Sequence, residues 1–340
     1  LARRRGLRAW AVENGYLRPD WLTLEPFGMG RHSQFPRCPT RIRAMAEGQP
    51  AAPLEPAWPL PFHVEAVNEM AFNLAHALGR WRFPGYDSDR LVSPLHEYAG
   101  WLPHIARLPR TRAAVRRVET ACAKGTAPYA LLALQMETDY QIRVSSDFAG
   151  QAEMLESVLL SMARRAPPAM RLVVKIHPCD NALIDWRGVA ADLARRFGLE
   201  GRVDVIRGGR LDRLLERAHG LVTINSTTAI HALKLGRPTI ALGDAVYDMP
   251  GLTHQGGLDR FWSDPEPPCP SLFDAWCRAA AAEIQVRGSQ KHPAGRKVAA
   301  AEIARRLTHG ERYWRLHDDI ATMPDAMVDA PLRPARQAAR

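Results

Sequence analysis

Val174-Lys175-Ile176-His177-Pro178 closes an apolar run that begins at Leu172. A short apolar run of this kind predicts a buried strand, and Pro178 ends it because proline has no N–H to donate to the next strand. His177 is therefore expected at the rim of a sheet, where an imidazole can donate a hydrogen bond to an anionic oxygen. Lys175 lies two residues earlier, and alternate residues of a strand share a face. The stretch predicts a positively charged rim, although a surface histidine before a turn would give the same dipeptide.

Apolar runs of the same kind recur through the second part of the chain, with helix-like segments between them. The predicted strands are 129–134, 172–176, 203–206, 221–224 and 239–242. The predicted helices are 149–165, 186–197, 211–219, 227–235, 271–286 and 294–308. Strands that alternate with helices predict a parallel sheet covered on both faces. The fold class is therefore α/β.

A second polar stretch, Asn225-Ser226-Thr227-Thr228, joins the strand 221–224 to an alanine-rich helix. Ser, Thr and Asn are favoured at helix starts, where unpaired backbone N–H groups and hydroxyls together can bind an anion. Capping alone would explain the same residues. Because the carboxyl ends of parallel strands meet at one edge of a sheet, His177 and Ser226-Thr227 at neighbouring ends favour the anion site. The arrangement suits an anionic leaving group held without a metal.

A third polar stretch, Gln135 to Asp139, follows the strand 129–134. A carboxylate at this position can take a proton from an acceptor hydroxyl in a transition state. Asp139 is the candidate base, with Gln135 beside it. Glu137 is a competitor, and an acidic residue that only forms a turn explains the sequence equally well.

Two further segments carry candidate binding residues. The loop from Ala245 to Gly257 is polar and glycine-rich, so Gln255 is expected to touch a nucleotide or a sugar. Near the start of the chain, polar and aromatic residues cluster around turns and are expected on the acceptor side of the same cleft: Glu13, Tyr16, Arg18 and Glu25.

The net charge of +10 and the pI of about 9.8 invite a nucleic-acid interpretation. We reject it, because only five of the 46 basic residues are lysines and the arginine excess matches the codon bias of a GC-rich bacterial genome. Nine arginines fall within residues 1–43. That surface is expected to face an anionic bilayer or a phospholipid acceptor, or to be a solvated basic face.

Several protein classes are excluded or disfavoured. No apolar run approaches the roughly 20 residues of a membrane span. The five cysteines are scattered and lack CxxC spacing, which predicts free thiols in a reducing cytosol and no zinc site. No phosphate-binding G-x-x-x-x-G-K-[ST] loop and no G-x-S-x-G elbow occur, and no D-x-D follows a strand. The missing D-x-D favours metal-independent chemistry.

The first part of the chain is organised differently. Strands are predicted at 7–12 and 21–24, a proline-rich loop at 48–61 and an amphipathic helix at 62–78. A complete doubly wound domain needs more strands, so further strands are expected before residue 1. The predicted division is 1–120 for the rest of an N-terminal, acceptor-side domain, 121–310 for a Rossmann-like domain that binds the CMP-sugar, and 311–340 for a C-terminal tail. The part of the tail after Met323 is expected to be disordered.

These motifs together resemble the capsule polysaccharide synthesis and export family, the group of KpsS-, KpsC- and LipB-like proteins. The resemblance runs from about residue 8 to residue 288, and its motifs occur in order. They are Glu13-Asn14-Gly15-Tyr16-Leu17-Arg18-Pro19-Asp20 with Thr23-Leu24-Glu25, Gln135 with Asp139, Lys175-Ile176-His177-Pro178, Asn225-Ser226-Thr227-Thr228, and Gly251-Leu252-Thr253 with Gln255-Gly256.

The resemblance implies a bacterial β-Kdo transferase with two Rossmann-like domains in a GT-B-like arrangement. It implies CMP-Kdo as donor, a lyso-phosphatidylglycerol acceptor, no cofactor, and a cytoplasmic location at the inner face of the membrane, alongside other capsule assembly proteins. Carried over by motif, Asp139 is the base beside Gln135, and His177 with Pro178 holds the CMP phosphate. Ser226 and Thr227 match the hydroxyl motif. Many members have a histidine where this chain has Ile176, and the aromatic usual after Gly288-Ser289 is replaced by Gln290-Lys291-His292.

Two alternatives remain open from the residues. A non-catalytic capsule assembly or export factor that binds a phosphoglycolipid would need the phosphate-binding residues but would not need Asp139. An epimerase of the UDP-sugar type would share the two-domain layout but would process a donor with no acceptor.

Overall fold

The computed structural model describes residues 5, 7, 9–26, 28–79, 82–83, 94–137, 142, 145–180 and 183–308. The candidate base Asp139 and the tail 311–340 lie outside these residues. The chain groups into two compact units. The first combines residues 1–36, 42–60 and those from 275 onward, and the second combines 37–41 with 61–274.

The described residues form eight strands, ten α-helices and a 3-10 helix at Gly30–His32. The strands are β1 Trp10–Asn14, β2 Trp21–Pro26, β3 Tyr129–Ala133, β4 Arg171–Ile176, β5 Val203–Arg207, β6 Gly220–Thr223, β7 Thr239–Ala241 and β8 Gln285–Arg287. The helices are α1 Pro39–Ala46, α2 Phe62–Gly79, α3 Pro94–Lys124, α4 Gln151–Arg165, α5 Trp186–Arg196, α6 Leu211–Leu215, α7 Thr228–Lys234, α8 Gly257–Phe261, α9 Pro270–Glu283 and α10 Pro293–Thr308.

The second unit is built on a five-stranded sheet in the order β5-β4-β3-β6-β7, and every pairing in it is parallel. All five predicted strands are present within one residue at each end, so the α/β fold class with a parallel sheet is confirmed. The central strand β3 is buried over its whole length, and β4 over all but its first residue. Continuous apolar runs of this kind are typical of strands covered on both faces.

The core of this unit lies between the sheet and its helices. Helix α4 contributes Met154, Leu155 and Val158, whose spacing places them on one face of the helix, and all three are fully buried. Helix α5 contributes Trp186, and Phe261 closes the core from α8. Each large apolar side chain buried in this way contributes roughly 1.5–3 kcal/mol, so the sheet is a rigid base for the loops at its edges.

The first unit is a small antiparallel sheet in the order β1-β2-β8. The pairing of β2 with β8 joins residues more than 260 positions apart, since Trp21 faces Arg287 and Thr23 faces Gln285. The predicted helix 271–286 is therefore wrong at its end, because α9 stops at Glu283 and the chain then extends as β8. The partner strand supplies hydrogen bonds that outweigh the local helical pattern.

The return of the chain to this sheet determines how the chain groups. Residues from 275 onward group with the first strands, and 61–124 group with the five-stranded sheet. The first grouping has a physical reason, because β8 pairs with β2 and α10 then packs on the same sheet through Ala299. The domain boundary near residue 120 stays a prediction.

Candidate functional site

The carboxyl ends of β3 and β6 meet where the strand order of the parallel sheet reverses. In open α/β sheets, this reversal opens a crevice in which ligands bind. Gln135 follows β3 and Asn225 follows β6, and the two side chains are in contact. The Gln135 Nε2 donates to Asn225 Oδ1 at 3.0 Å, and the Asn225 backbone N–H donates to Gln135 Oε1 at 3.3 Å. Two motifs that are 90 residues apart in the sequence therefore form one polar pair at this crevice.

Gln151, at the start of α4, holds the backbone of Gln135 in place. Its side-chain Oε1 accepts the Gln135 N–H at 2.5 Å, and its Nε2 donates to the Gln135 carbonyl at 2.6 Å. Gln151 is fully buried, and both the oxygen and the nitrogen of its amide bind Gln135. This double hydrogen bond fixes the position of Gln135 at the strand end. Gln151 lies on the apolar face of α4 with Met154 and Leu155, and a polar residue in that periodic pattern is the signal that identifies it.

Glu137, the competitor for the role of base, points toward α4. Its carboxylate accepts the backbone N–H of Gln151 at 3.2 Å, and a carboxylate at a helix start is stabilised there by the unpaired N–H groups. This contact favours a structural role for Glu137.

The turn after β4 determines which ring nitrogen of His177 carries the proton. The Cys179 N–H donates to His177 Nδ1 at 3.1 Å, so Nδ1 acts as an acceptor and the neutral ring carries its proton on Nε2. The Asp180 N–H closes the same turn on the His177 carbonyl at 3.1 Å. Pro178 and Cys179 are exposed, and His177 is half-buried. In this form the Nε2–H is the donor of the ring.

A buried ion pair anchors this turn to the sheet. The guanidinium of Arg207, at the end of β5, donates to Asp180 Oδ1 at 2.6 Å and to the Asp180 carbonyl at 2.8 Å. The indole Nε1 of Trp186 donates to the other Asp180 oxygen at 3.3 Å. Strand β5 and helix α5 therefore both bind Asp180, and these contacts fix the turn that carries His177.

Lys175 lies on β4 next to the crevice and is largely buried. Its side chain is 9% exposed, and burial lowers the pKa of its ammonium below the usual value of 10.5. Within the described residues, no hydrogen bond or ion pair of its Nζ is found. A buried cation of this kind is unfavourable by itself and becomes favourable when an anion binds beside it.

The turn from Asn225 to Thr228 is locally capped. The Ser226 Oγ accepts the Thr228 N–H at 3.2 Å and lies 3.0 Å from the Thr228 hydroxyl. The phenol of Tyr247 donates to the Ser226 carbonyl at 2.7 Å, and burial raises the pKa of Tyr247 well above its usual value. Thr227 occupies the N-cap position of α7 without a side-chain capping bond. Tyr247 therefore fixes this turn from the loop that follows β7.

Gln255 belongs to the same loop, and its amide is bound within it. Its Nε2 donates to Asp248 Oδ1 at 3.0 Å and to Thr253 Oγ1 at 2.9 Å, while its backbone N–H donates to Glu266 at 2.9 Å. The neighbouring His254 is completely buried, with its Nε2 3.0 Å from the Gly257 carbonyl. These contacts order the loop, which limits the donors that Gln255 can present to a ligand.

The four residues predicted on the acceptor side lie on the β1–β2 hairpin of the first unit. Tyr16 and Glu25 are in contact: the Tyr16 hydroxyl donates to Glu25 Oε1 at 3.2 Å, and Ser33 Oγ donates to Glu25 Oε2. Burial, and then the Glu25 charge, raise the pKa of Tyr16. Glu25 is 1% exposed, whereas Glu13 and Arg18 are exposed. Glu25 therefore stabilises the hairpin, and the exposed side chains of Glu13 and Arg18 are more accessible to a ligand.

The structure thus brings several predicted residues to one edge of one sheet. Gln135, His177 and Asn225 follow the adjacent strands β3, β4 and β6, and Lys175 lies within β4. The two outer strands of these three are separated by about 10 Å. Within the described ranges, no group of three or more His, Cys, Asp or Glu side chains could hold a metal ion. None of the helices in that part of the chain combines the length and the apolarity needed to cross a membrane.

Comparison with known proteins gives the family. The family described as "Capsule polysaccharide biosynthesis protein" matches residues 1–290. The chain is 32% identical over 282 residues to the capsule polysaccharide export protein KpsS of Escherichia coli. This alignment covers 80% of this chain and 70% of KpsS. It is also 32% identical over 276 residues to the capsule polysaccharide modification protein LipB of Neisseria meningitidis. That alignment covers 78% of this chain and 65% of LipB.

A solved structure, the β-Kdo 2,7 transferase KpsC of Thermosulfurimonas dismutans, aligns with 83% of this chain and 71% of its own chain. The identity is 16% and the TM-score is 0.41. The resemblance that the motifs indicated is confirmed by the family match, which extends over residues 1–290 of 340. The chain belongs to the capsule polysaccharide biosynthesis protein family.

Proposed function

We propose that this protein is an inverting, metal-independent glycosyltransferase that adds Kdo from CMP-Kdo to a lyso-phosphatidylglycerol-based acceptor. The work would take place at the inner face of the cytoplasmic membrane during capsule assembly. Family membership supports a role in capsule polysaccharide biosynthesis. The proposal of sugar transfer depends on one observation, the Gln135–Asn225 pair at the crevice where the strand order reverses. The adjacent strand β4 carries Lys175 and is followed by His177.

Each residue has a role in the proposed step. The acceptor hydroxyl oxygen attacks the anomeric carbon of Kdo, the bond from that carbon to the phosphate oxygen breaks, and Asp139 takes the hydroxyl proton. CMP leaves with the bonding electron pair. Displacement from the opposite face inverts the anomeric centre.

The donor side must stabilise the departing phosphate. The His177 Nε2–H and the Lys175 ammonium supply a hydrogen bond and a positive charge, and Pro178 sets the turn that holds His177. Removing one such donor typically lowers the rate by a hundredfold or more. Asn225, Ser226, Thr227 and Gln255 complete the donor side in this proposal, and Glu13, Tyr16, Arg18 and Glu25 the acceptor side.

The experiment is incubation of the protein with CMP-Kdo and a synthetic lyso-phosphatidylglycerol, with products read by mass spectrometry. We expect a product heavier by one Kdo residue, an undiminished yield in EDTA, and a yield reduced at least about a hundredfold in His177→Ala. CMP that is released with no acceptor-linked Kdo would contradict transfer. Binding of the phospholipid with no consumption of CMP-Kdo would instead support the non-catalytic assembly factor, a reading that the name of the export protein KpsS favours.

A further inference from the structure

A cavity that the candidate site does not use lies between α3 and the amino ends of strands β3, β4 and β5. Its volume is about 450 Å³, and small-molecule sites in proteins typically have volumes of roughly 300–1,000 Å³. The cavity, its helix and its strands all belong to the unit of the five-stranded sheet. It is therefore large enough to hold a ligand and has a defined place in the fold.

The helix side of this amino-end cavity is apolar. It is formed by Val118, Ala121 and Cys122, whose spacing of three and four residues places them on one face of α3. Val118 and Cys122 are buried, and Ala121 is exposed. Burial raises the pKa of the Cys122 thiol, so the thiol is neutral near pH 7. This side suits an apolar group.

The sheet side of the cavity is charged. Arg171 and Val173 lie two residues apart on β4, and the strand register pairs Val173 with Asp204 of β5, so all three share one face of the sheet. The Asp204 carboxylate accepts from Arg171 Nη2 at 2.8 Å and from Arg117 Nη2, on α3, at 3.4 Å. Two guanidinium groups on the cavity therefore share one carboxylate.

The positive charge at this side exceeds the negative charge. Within the described part of the chain, Asp204 forms the only ion pairs found for Arg117 and Arg171. A third arginine, Arg202, lies close by and donates to two backbone carbonyls at 3.0 and 2.8 Å. The pKa of Arg202 is lowered by burial and then by the charge of Arg171. An anion that entered the cavity would be attracted to these groups.

The cavity is separate from the crevice that holds the proposed phosphate site. Arg171 is the first residue of β4, and His177 follows its last residue. Six residues at about 3.3 Å each separate the two positions by roughly 20 Å. An anion bound at His177 therefore does not reach Arg171.

We propose that the amino-end cavity binds a small amphipathic anion, a carboxylate carried on an apolar chain. The carboxylate would accept hydrogen bonds from Arg117 and Arg171, and the chain would lie against Val118 and Ala121. An inorganic anion would leave the apolar side in contact with water, and a neutral chain would leave the excess positive charge without a partner. The inference is independent of the proposed sugar transfer.

The test is calorimetric titration of the whole protein with decanoate, decanol and inorganic phosphate. We expect decanoate to bind at one site, at least about tenfold more tightly than decanol or phosphate. Arg117→Gln should weaken decanoate at least about fivefold, because it removes a charged donor. Arg116→Gln is the matched control, since Arg116 is exposed on the same helix but does not line the cavity, and it should leave the affinity unchanged.

A second pair of variants tests the location. Ala121→Phe should fill the cavity and abolish decanoate binding, and Ala123→Phe, also exposed on α3 but away from the cavity, should not. Decanoate affinity that is unchanged in Ala121→Phe would overturn the site, and phosphate or decanol that binds as tightly as decanoate would overturn the amphipathic ligand. His177→Ala should bind decanoate normally, because His177 is roughly 20 Å away. Loss of decanoate binding in His177→Ala would place the anion in the crevice and overturn a separate site.

Discussion

Two residues near the end of β4, His177 and Lys175, illustrate how single side chains prepare the candidate site. The His177 Nδ1 accepts the Cys179 N–H, so the neutral ring carries its proton on Nε2. Lys175 carries its charge in a largely buried position, with its pKa lowered by burial. One residue is positioned by a backbone hydrogen bond, and the other is kept poorly solvated. The poorly solvated ammonium of Lys175 should strengthen a contact with an anion at some expense in folding stability.

Lys175→Met should therefore stabilise the fold and weaken nucleotide binding. Removing a poorly solvated ammonium should raise the free energy of unfolding by about 1–3 kcal/mol at neutral pH, while CMP affinity falls at least about tenfold. Lys297→Met, at an exposed position on α10, is the control and should change neither quantity appreciably.

The stabilisation should also depend on pH with a defined sign. Because the folded-state pKa of Lys175 is below its usual value of 10.5, the unfolded chain binds more protons between the two values. Wild-type stability therefore gains as pH rises toward 10.5, and the advantage of Lys175→Met shrinks over the same range. Urea unfolding at several pH values measures this. A variant less stable than the wild type at neutral pH would show that Lys175 is a structural residue.

At the scale of elements, the strands of the parallel sheet were predictable and the contacts between their ends were not. Strands β3 and β4 are buried apolar runs bounded by polar turns, so the sequence itself marks them. Strand β8 is different, since Gln285–Arg287 has no strand signature and extends because β2 pairs with it. The Gln135–Asn225 pair depends on the same kind of long-range information, since only the strand order places the two motifs at adjacent ends.

The ion pair between β5 and the turn after β4 should be a major stabilising contact. Arg207→Met leaves the 5%-exposed Asp180 carboxylate without its cation, and removal of one partner of a buried pair typically costs about 3–5 kcal/mol. The double variant Arg207→Met/Asp180→Asn should recover part of that loss. Urea unfolding at neutral pH measures both.

The matched control for this pair is the exposed ion pair on α5. Arg195 and Asp192 are 68% and 72% exposed, so Arg195→Met should change the free energy of unfolding by less than about 1 kcal/mol. If Arg207→Met lowered the free energy of unfolding no more than Arg195→Met, other contacts would fix the turn that carries His177. The Arg207–Asp180 pair would then contribute little to stability.

At the scale of the whole molecule, the parallel sheet was predictable from the sequence, whereas the pairing of β2 with β8 was not. The alternation of strands and helices from residue 129 to residue 241 identified the α/β unit. The grouping of the last described elements with the first strands follows from a strand pairing across more than 260 residues, which composition and linkers do not reveal. Family membership was predictable because its motifs are short, ordered and spread over most of the chain.

The proposed transfer from donor to acceptor involves the whole protein, and measuring it tests the proposed base most directly. General-base assistance is typically worth about 10²–10⁴ in rate. Asp139→Asn should therefore nearly abolish Kdo transfer while CMP affinity is unchanged, because the proposed base contacts the acceptor hydroxyl and not the nucleotide. Glu137→Gln is the matched control. Its carboxylate already accepts the Gln151 N–H at the start of α4, so a small loss of stability and near-normal transfer are expected.

Product formation by mass spectrometry and CMP titration together distinguish the roles. Transfer by Asp139→Asn at a rate near that of the wild type would remove Asp139 as the base. The carboxylates of the β1–β2 hairpin would then be the next candidates for the base, and they differ in how exposed they are to solvent. Glu13 is exposed on β1, whereas Glu25 is 1% exposed and bonded to Tyr16 and Ser33. In that case Glu13→Gln should lose transfer with the fold intact, and Glu25→Gln should lose folding stability first.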